Sequence, residues 1–222
     1  MVQVAGFKLT SDTALIEGEN YSVVANGVYP DPTFALVIST DQSIEITTEG
    51  VESGETNNIL RVASDVTANI TLNNVNIDRS AINYDNISTF EVLGDANIIL
   101  KSENTLNNKA NGLSKQQFGA GLQVEEGASV NISGDGKLTS RSTNGAGIGA
   151  DSGKIDEILI TGGTVTATGG NGGDGVYGVF PLCLKCNHRF YTQRWVAFDS
   201  LELPLICSLS HLLNLVYVLC LT

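Results

Sequence analysis

In the middle of the chain, polar and apolar residues alternate in runs too short for helices. Ile70, Leu72, Val75 and Ile77 mark the apolar side of one run, and Phe90, Val92, Ile98 and Leu100 that of the next. Further on, Ser129-Val130-Asn131-Ile132-Ser133 leads through Gly134-Asp135-Gly136 to Lys137-Leu138-Thr139-Ser140. Ile158-Leu159-Ile160-Thr161 likewise leads through Gly162-Gly163 to Thr164-Val165-Thr166-Ala167-Thr168. A period of two with β-branched residues predicts short strands with one buried face, and the glycines supply the positive φ that a sharp corner needs.

These strand pairs are framed by a recurring phrase: Gly119-Ala120-Gly121-Leu122, Gly145-Ala146-Gly147-Ile148 and a degenerate Gly173-Asp174-Gly175-Val176, at intervals of 26 and 28 residues. A unit of that size with three short strands cannot bury its apolar face alone, so neighbouring units must stack on it. The pattern predicts an all-β fold, a right-handed parallel β-helix (solenoid) over residues 61–178. The rival is an antiparallel sandwich with hairpins at Gly134-Asp135 and Gly162-Gly163, but such sandwiches do not usually repeat one phrase at constant spacing.

Residues 1–60 lack the phrase but keep strand signals. Leu15-Ile16, Tyr21-Ser22-Val23-Val24, Phe34-Ala35-Leu36-Val37-Ile38 and Ile44-Glu45-Ile46 read as short strands separated by turn residues. An irregular β N-terminal cap over the first coil is expected, because the end of a solenoid otherwise exposes open strand edges. No signal peptide is recognisable at Met1–Phe7. The composition nevertheless suits an exported module, so a fragment of a longer secreted polypeptide is expected.

Residues 179–222 are a different kind of sequence. All four cysteines, both histidines and the single tryptophan lie there, and no glycine does. Four readings compete: a zinc site from Cys183, Cys186, Cys207 and His211, a membrane anchor in the uncharged run 205–222, a folded terminal cap, and a stretch that is not evolved coding sequence. The last is favoured, because the repeat stops just as a further phrase begins.

Charge narrows the partners. The formal net charge is −12, and residues 1–178 carry 22 acidic and 9 basic side chains. Such a surface repels phosphate backbones and anionic lipid, so neither nucleic acid nor membrane insertion is expected for residues 1–178. Polyuronates would be repelled as well unless calcium bridged them.

The runs Val66–Asp78, Glu103-Asn104-Thr105-Leu106, the two Gly-Ala-Gly phrases and Ile160–Gly170 together resemble the β-helix repeat modules of large cell-surface proteins of gut Firmicutes. Those are often described as carbohydrate-binding-domain-containing or pectin-lyase-like proteins. Glu17-Gly18-Glu19-Asn20-Tyr21-Ser22 resembles the segment that precedes the helix in that group. The resemblance covers about residues 15–178 and implies an extracellular or cell-surface setting. It implies a scaffold or adhesin-like role, with polysaccharides or surface glycans as partners, and no common catalytic motif.

No catalytic residues are assigned. Pectin-lyase-like enzymes need an Arg or Lys base beside calcium-binding acids, or paired Asp residues, and residues 1–178 show neither set and no histidine. Asp78, Asp85, Asp95, Asp135, Asp151, Asp156 and Asp174 fall mainly at corners, where Asp serves turn chemistry. A polysaccharide lyase or glycoside hydrolase is the alternative. Sugars stack on exposed aromatics, and Tyr84 and Phe118 are the candidates, with Phe90 assigned to the core by its alternation. Phe118 closes a polar excursion, 109–118, that interrupts the coil spacing. No metal site is assigned and no cofactor is expected, although calcium at stacked corners near Asp135, or near Asp151 with Asp174, remains open.

Overall fold

The computed structural model describes residues 1–26, 33–82, 86–109, 118–150 and 157–170, together with the backbone of His188–Phe190. These residues form strands and turns, with no helix among them. Four coils of three strands stack in parallel. The first comprises β6 (Ile59–Val62), β7 (Thr67–Asn73) and β8 (Asn76–Asp78); the second, β9 (Phe90–Val92), β10 (Asp95–Lys101) and β11 (Glu103–Asn108). The third comprises β12 (Leu122–Val124), β13 (Ser129–Gly134) and β14 (Lys137–Ser142); the fourth, β15 (Ile148–Gly149), β16 (Glu157–Ile160) and β17 (Thr164–Thr168). The protein is a parallel β-solenoid.

Each strand pairs with its counterpart in the next coil, which produces three sheets. Sheet A runs through β7, β10, β13 and β16, sheet B through β6, β9, β12 and β15, and sheet C through β8, β11, β14 and β17. The sandwich alternative is thereby excluded: β13 and β14 are adjacent in sequence but do not pair with each other, and each pairs in parallel with both neighbours in its own sheet. The glycine turns between them therefore change the chain's direction by one corner and do not reverse it. Only in this way do the inner faces of three sheets enclose one core.

Register explains the alternation. Ile44, Ile70, Ile98, Ile132 and Ile160 are consecutive partners in sheet A, and Leu36, Leu60, Phe90, Leu122 and Ile148 in sheet B. All of these but Ile148 are buried, and Ile148 packs against the same cluster. Each such side chain contributes roughly 1.5–3 kcal/mol of burial, and like residues stack so that each coil presents the next with a matching surface. The core assignments made from alternation for Ile70, Leu72, Val75, Ile77, Phe90, Val92, Ile98 and Leu100 all hold.

Parallel stacking begins within the region read as the cap. β4 (Thr33–Ile38) pairs in parallel with β6, β5 (Ser43–Thr47) with β7, and Thr56 makes a parallel bridge to Ile77, so a partial coil precedes the first. The cap proper consists of three antiparallel strands. β3 (Tyr21–Asn26) covers β4, β2 (Phe7–Thr10) covers β5, and β1 (Val2–Val4) pairs with β2. The turn joining β1 and β2 lies over the third side, where Asn58 Nδ2 donates to the Ala5 carbonyl at 3.0 Å. Leu15-Ile16 forms no strand and leads into a turn bridged at Glu17 and Tyr21.

A polar staple ties the partial coil to the body. On the outer face of sheet A, Lys101 Nζ donates to Glu45 Oε2 at 2.8 Å and Asn73 Nδ2 to Glu45 Oε1 at 3.1 Å. The hydrogen bond from Lys101, followed by that from Asn73, holds the Glu45 carboxyl below the usual carboxylate range. At the other end, β18 (His188–Phe190) pairs antiparallel with β16. The rest of 171–222, with the zinc-like Cys183, Cys186, Cys207 and His211, lies outside the described residues.

Candidate functional site

The corner at which the chain passes from sheet C to sheet B carries the repeated phrase and the excursions. The pairing of Leu60, Phe90, Leu122 and Ile148 aligns Gly119-Ala120-Gly121 with Asn57-Asn58-Ile59 and Ile87-Ser88-Thr89 before it and with Gly145-Ala146-Gly147 after it. The phrase thus has two earlier copies without glycine.

Close approach of backbones explains the glycines. A Cβ on Gly119 would overlap the Ile87 carbonyl and lie 2.6 Å from Ser88 N. One on Gly121 would overlap Ser140 Oγ and lie 2.7 Å from the Gly147 carbonyl oxygen, and one on Gly145 would overlap the Phe118 carbonyl oxygen. None of the three has a positive φ. The residue type here answers to space.

Small polar side chains fill what remains. Asn108, fully buried at the end of β11, donates through Nδ2 to the carbonyls of Ile87 at 3.0 Å, Gly119 at 2.7 Å and Ala120 at 3.3 Å. In the next coil Ser142 takes the register position of Asn108; its hydroxyl donates to the Gly119 carbonyl at 2.7 Å and accepts from Gly145 N at 2.9 Å. Ser88 accepts from Ala120 N at 2.8 Å and donates to Gln123 Oε1. Buried backbone groups at an irregular corner need such partners, since an orphaned one costs about 1–3 kcal/mol.

Arg79, just after β8 on the approach to this corner, is completely buried. Its Nη1 donates to the Asn57 carbonyl at 2.8 Å and lies 3.5 Å from Thr33 Oγ1, linking the first coil to the partial coil beneath it. Sequence reasoning missed it: nothing in the pattern of Asp78-Arg79-Ser80 marks a large cation drawn inside.

The outer face of sheet B next to the corner carries an ion pair. Arg61 Nη2 lies 2.6 Å from Glu91 Oε2, and Arg61 Nε donates to the same oxygen at 2.7 Å. Glu91 Oε1 accepts from Ser88 N at 3.3 Å, and Glu125 Oε1 accepts from Gln123 Nε2 at 2.6 Å. These carboxylates are engaged as structural acceptors within the protein.

Phe118 stands at the rim, 42% exposed. By register it follows Asn86 of the second coil and precedes Asn144 of the fourth, so three corner residues line up along the solenoid axis. Tyr84, two residues before Asn86, lies outside the described residues. Asp135 is exposed in the turn between β13 and β14, while Asp151 and Asp174 lie outside the described residues. Among the described residues no three His, Cys, Asp or Glu side chains gather as metal ligands.

Comparison with protein-family models, with curated proteins and with solved structures finds no match to this chain.

Proposed function

We propose that the protein is a non-catalytic extracellular β-helix module of a bacterial surface protein, an elongated scaffold that binds glycans at the corner between sheets C and B. The observation that carries this reading is Phe118: an aromatic ring 42% exposed on an acidic body, at the corner where the coil spacing is interrupted. Sugars present apolar C–H faces to such rings and hydroxyls to neighbouring amides and carboxylates. The resemblance to surface modules of gut Firmicutes points the same way. Neutral glycans suit the site best, because the surrounding charge opposes polyuronates.

The test is a glycan array with the wild-type chain and Phe118→Ala, combined with a release assay on polygalacturonate. Binding of neutral glycans is expected, weakened at least about tenfold by removal of the ring (~1.4 kcal/mol), with an unchanged melting temperature. New reducing ends or unsaturated products would overturn the non-catalytic reading in favour of a polysaccharide lyase or hydrolase. Equal binding by both proteins would remove Phe118 from the site.

A further inference from the structure

The N-terminal cap moves the open edges of the solenoid outward, and it blunts them unequally. On sheet A the outermost strand is β1, only three residues long, and on the third side a turn covers Thr56. Short edges and turns are poor templates for another strand. On sheet B the outermost strand is β3, six residues long, and among the described residues no strand lies beyond it. In an antiparallel pair every second residue directs its N–H and C=O away from its partner, so β3 keeps a row of such groups on its outer side. The neighbouring turn engages this edge at Tyr21, whose carbonyl accepts from Gly18 N at 2.7 Å and which is bridged to Glu17.

The side chains of this edge lack the usual protection. Tyr21-Ser22-Val23-Val24-Ala25-Asn26 contains no charge and no proline, and neither does β4 behind it. Val24 is 44% exposed, and Ala25 is exposed beside it. Lysine, proline or an inward charge is the common device against edge pairing, and none is present.

We infer that β3 is a self-association edge, and that its occupant is the β3 strand of a second copy of this chain, paired antiparallel about a two-fold axis. Directly opposed residues in a continuous sheet share a face, so the axis passes through a residue that meets its own counterpart. With Val24 at that position the exposed valines pair with each other, Ser22 faces Asn26 and Val23 faces Ala25 across the axis. Such apolar cross-strand pairs stabilise antiparallel ladders. Charge permits the approach. No residue from Tyr21 to Asn26 is charged, so the paired strands set no like charges opposite each other. Two strand edges of this length bury less than the roughly 1,200 Å² of a stable complex, so the dimer is weak and concentration-dependent.

Sedimentation velocity of the full chain in reducing buffer, across a wide concentration range, tests this. The wild type is expected to pass from monomer to dimer. Val24→Lys, which sets two like charges opposite each other, should raise the dissociation constant at least about tenfold while leaving the circular dichroism and melting temperature unchanged. Ile99→Lys, at an equally exposed apolar position on the outer face of sheet A, should leave the dimer intact. A wild type that stays monomeric to near-millimolar concentration would overturn the inference. So would a dimer that survives Val24→Lys or is lost equally in Ile99→Lys.

Discussion

Alanine at position 119 is expected to destabilise the protein by about 3–5 kcal/mol, in the range of severe overpacking. The added methyl would overlap the Ile87 carbonyl and sit 2.6 Å from Ser88 N. Both groups belong to the backbone of the preceding coil, which is held in place by stacking and cannot swing aside as a side chain could. The contrast is Gly127→Ala. Gly127 has a φ of 79°, and a Cβ there would meet nothing within 4 Å, so the change costs only the left-handed strain of about 1 kcal/mol. Chemical denaturation of the two variants checks the pair. The expected order reverses if the phrase is conformational in origin, because Gly127 would then be the more sensitive position.

The second large effect belongs to Asn104→Leu. Asn104 is buried and occupies an inward position of β11, opposite Leu138 of the next coil, where leucine is accommodated. By register alone the substitution looks harmless. Asn104 Oδ1, however, accepts from Val75 N at 2.9 Å, and its Nδ2 donates to the carbonyls of Lys101 at 2.8 Å and Lys137 at 3.2 Å. One amide thereby satisfies backbone groups from three consecutive coils. Leucine would leave them buried without partners, at about 1–3 kcal/mol each before relaxation. A net loss of about 3–4 kcal/mol is expected by denaturant titration. Loss of hydrogen-exchange protection should centre on Val75 and its neighbours. A change below about 1 kcal/mol would mean that solvent reaches these groups.

The coils were legible because burial on a flat face imposes a period of two, and because identical stacking imposes a long period. Ile70, Ile98, Ile132 and Ile160 carry both signals at once. What escaped the pattern has physical reasons. Val2-Gln3-Val4 and Phe7-Lys8-Leu9 also alternate, but the strands are so short that only the positive φ of Ala5 and Gly6, at 48° and 78°, betrays the hairpin. The copy of the repeated phrase at Ile87-Ser88-Thr89-Phe90 was hidden because its corner uses Ser88 and Thr89 where the later coils use Ala120 and Gly121. Searching for glycine could not find it; counting back from the buried Phe90 could. The binding candidates were legible only as residue types. Phe118 is exposed at the rim of the corner, whereas Tyr84 lies outside the described residues. The ion pair of Arg61 with Glu91 and the buried Arg79 depend on contacts between coils, which a linear pattern does not encode.

The central claim is that adjacent strands belong to successive coils and run in parallel, and a pair of engineered cysteines tests it most directly. Thr105 and Thr139 are partners across β11 and β14, 34 residues apart in the chain. Neighbouring strands bring such Cα atoms to about 4.8 Å, within disulfide reach. In a chain whose four native cysteines are replaced by serine, Thr105→Cys with Thr139→Cys is predicted to form a disulfide under mild oxidation. Asn131→Cys with Leu138→Cys, which a hairpin at Gly134-Asp135 would set opposite each other, is predicted not to. Cross-linking of the second pair and not the first would contradict the solenoid.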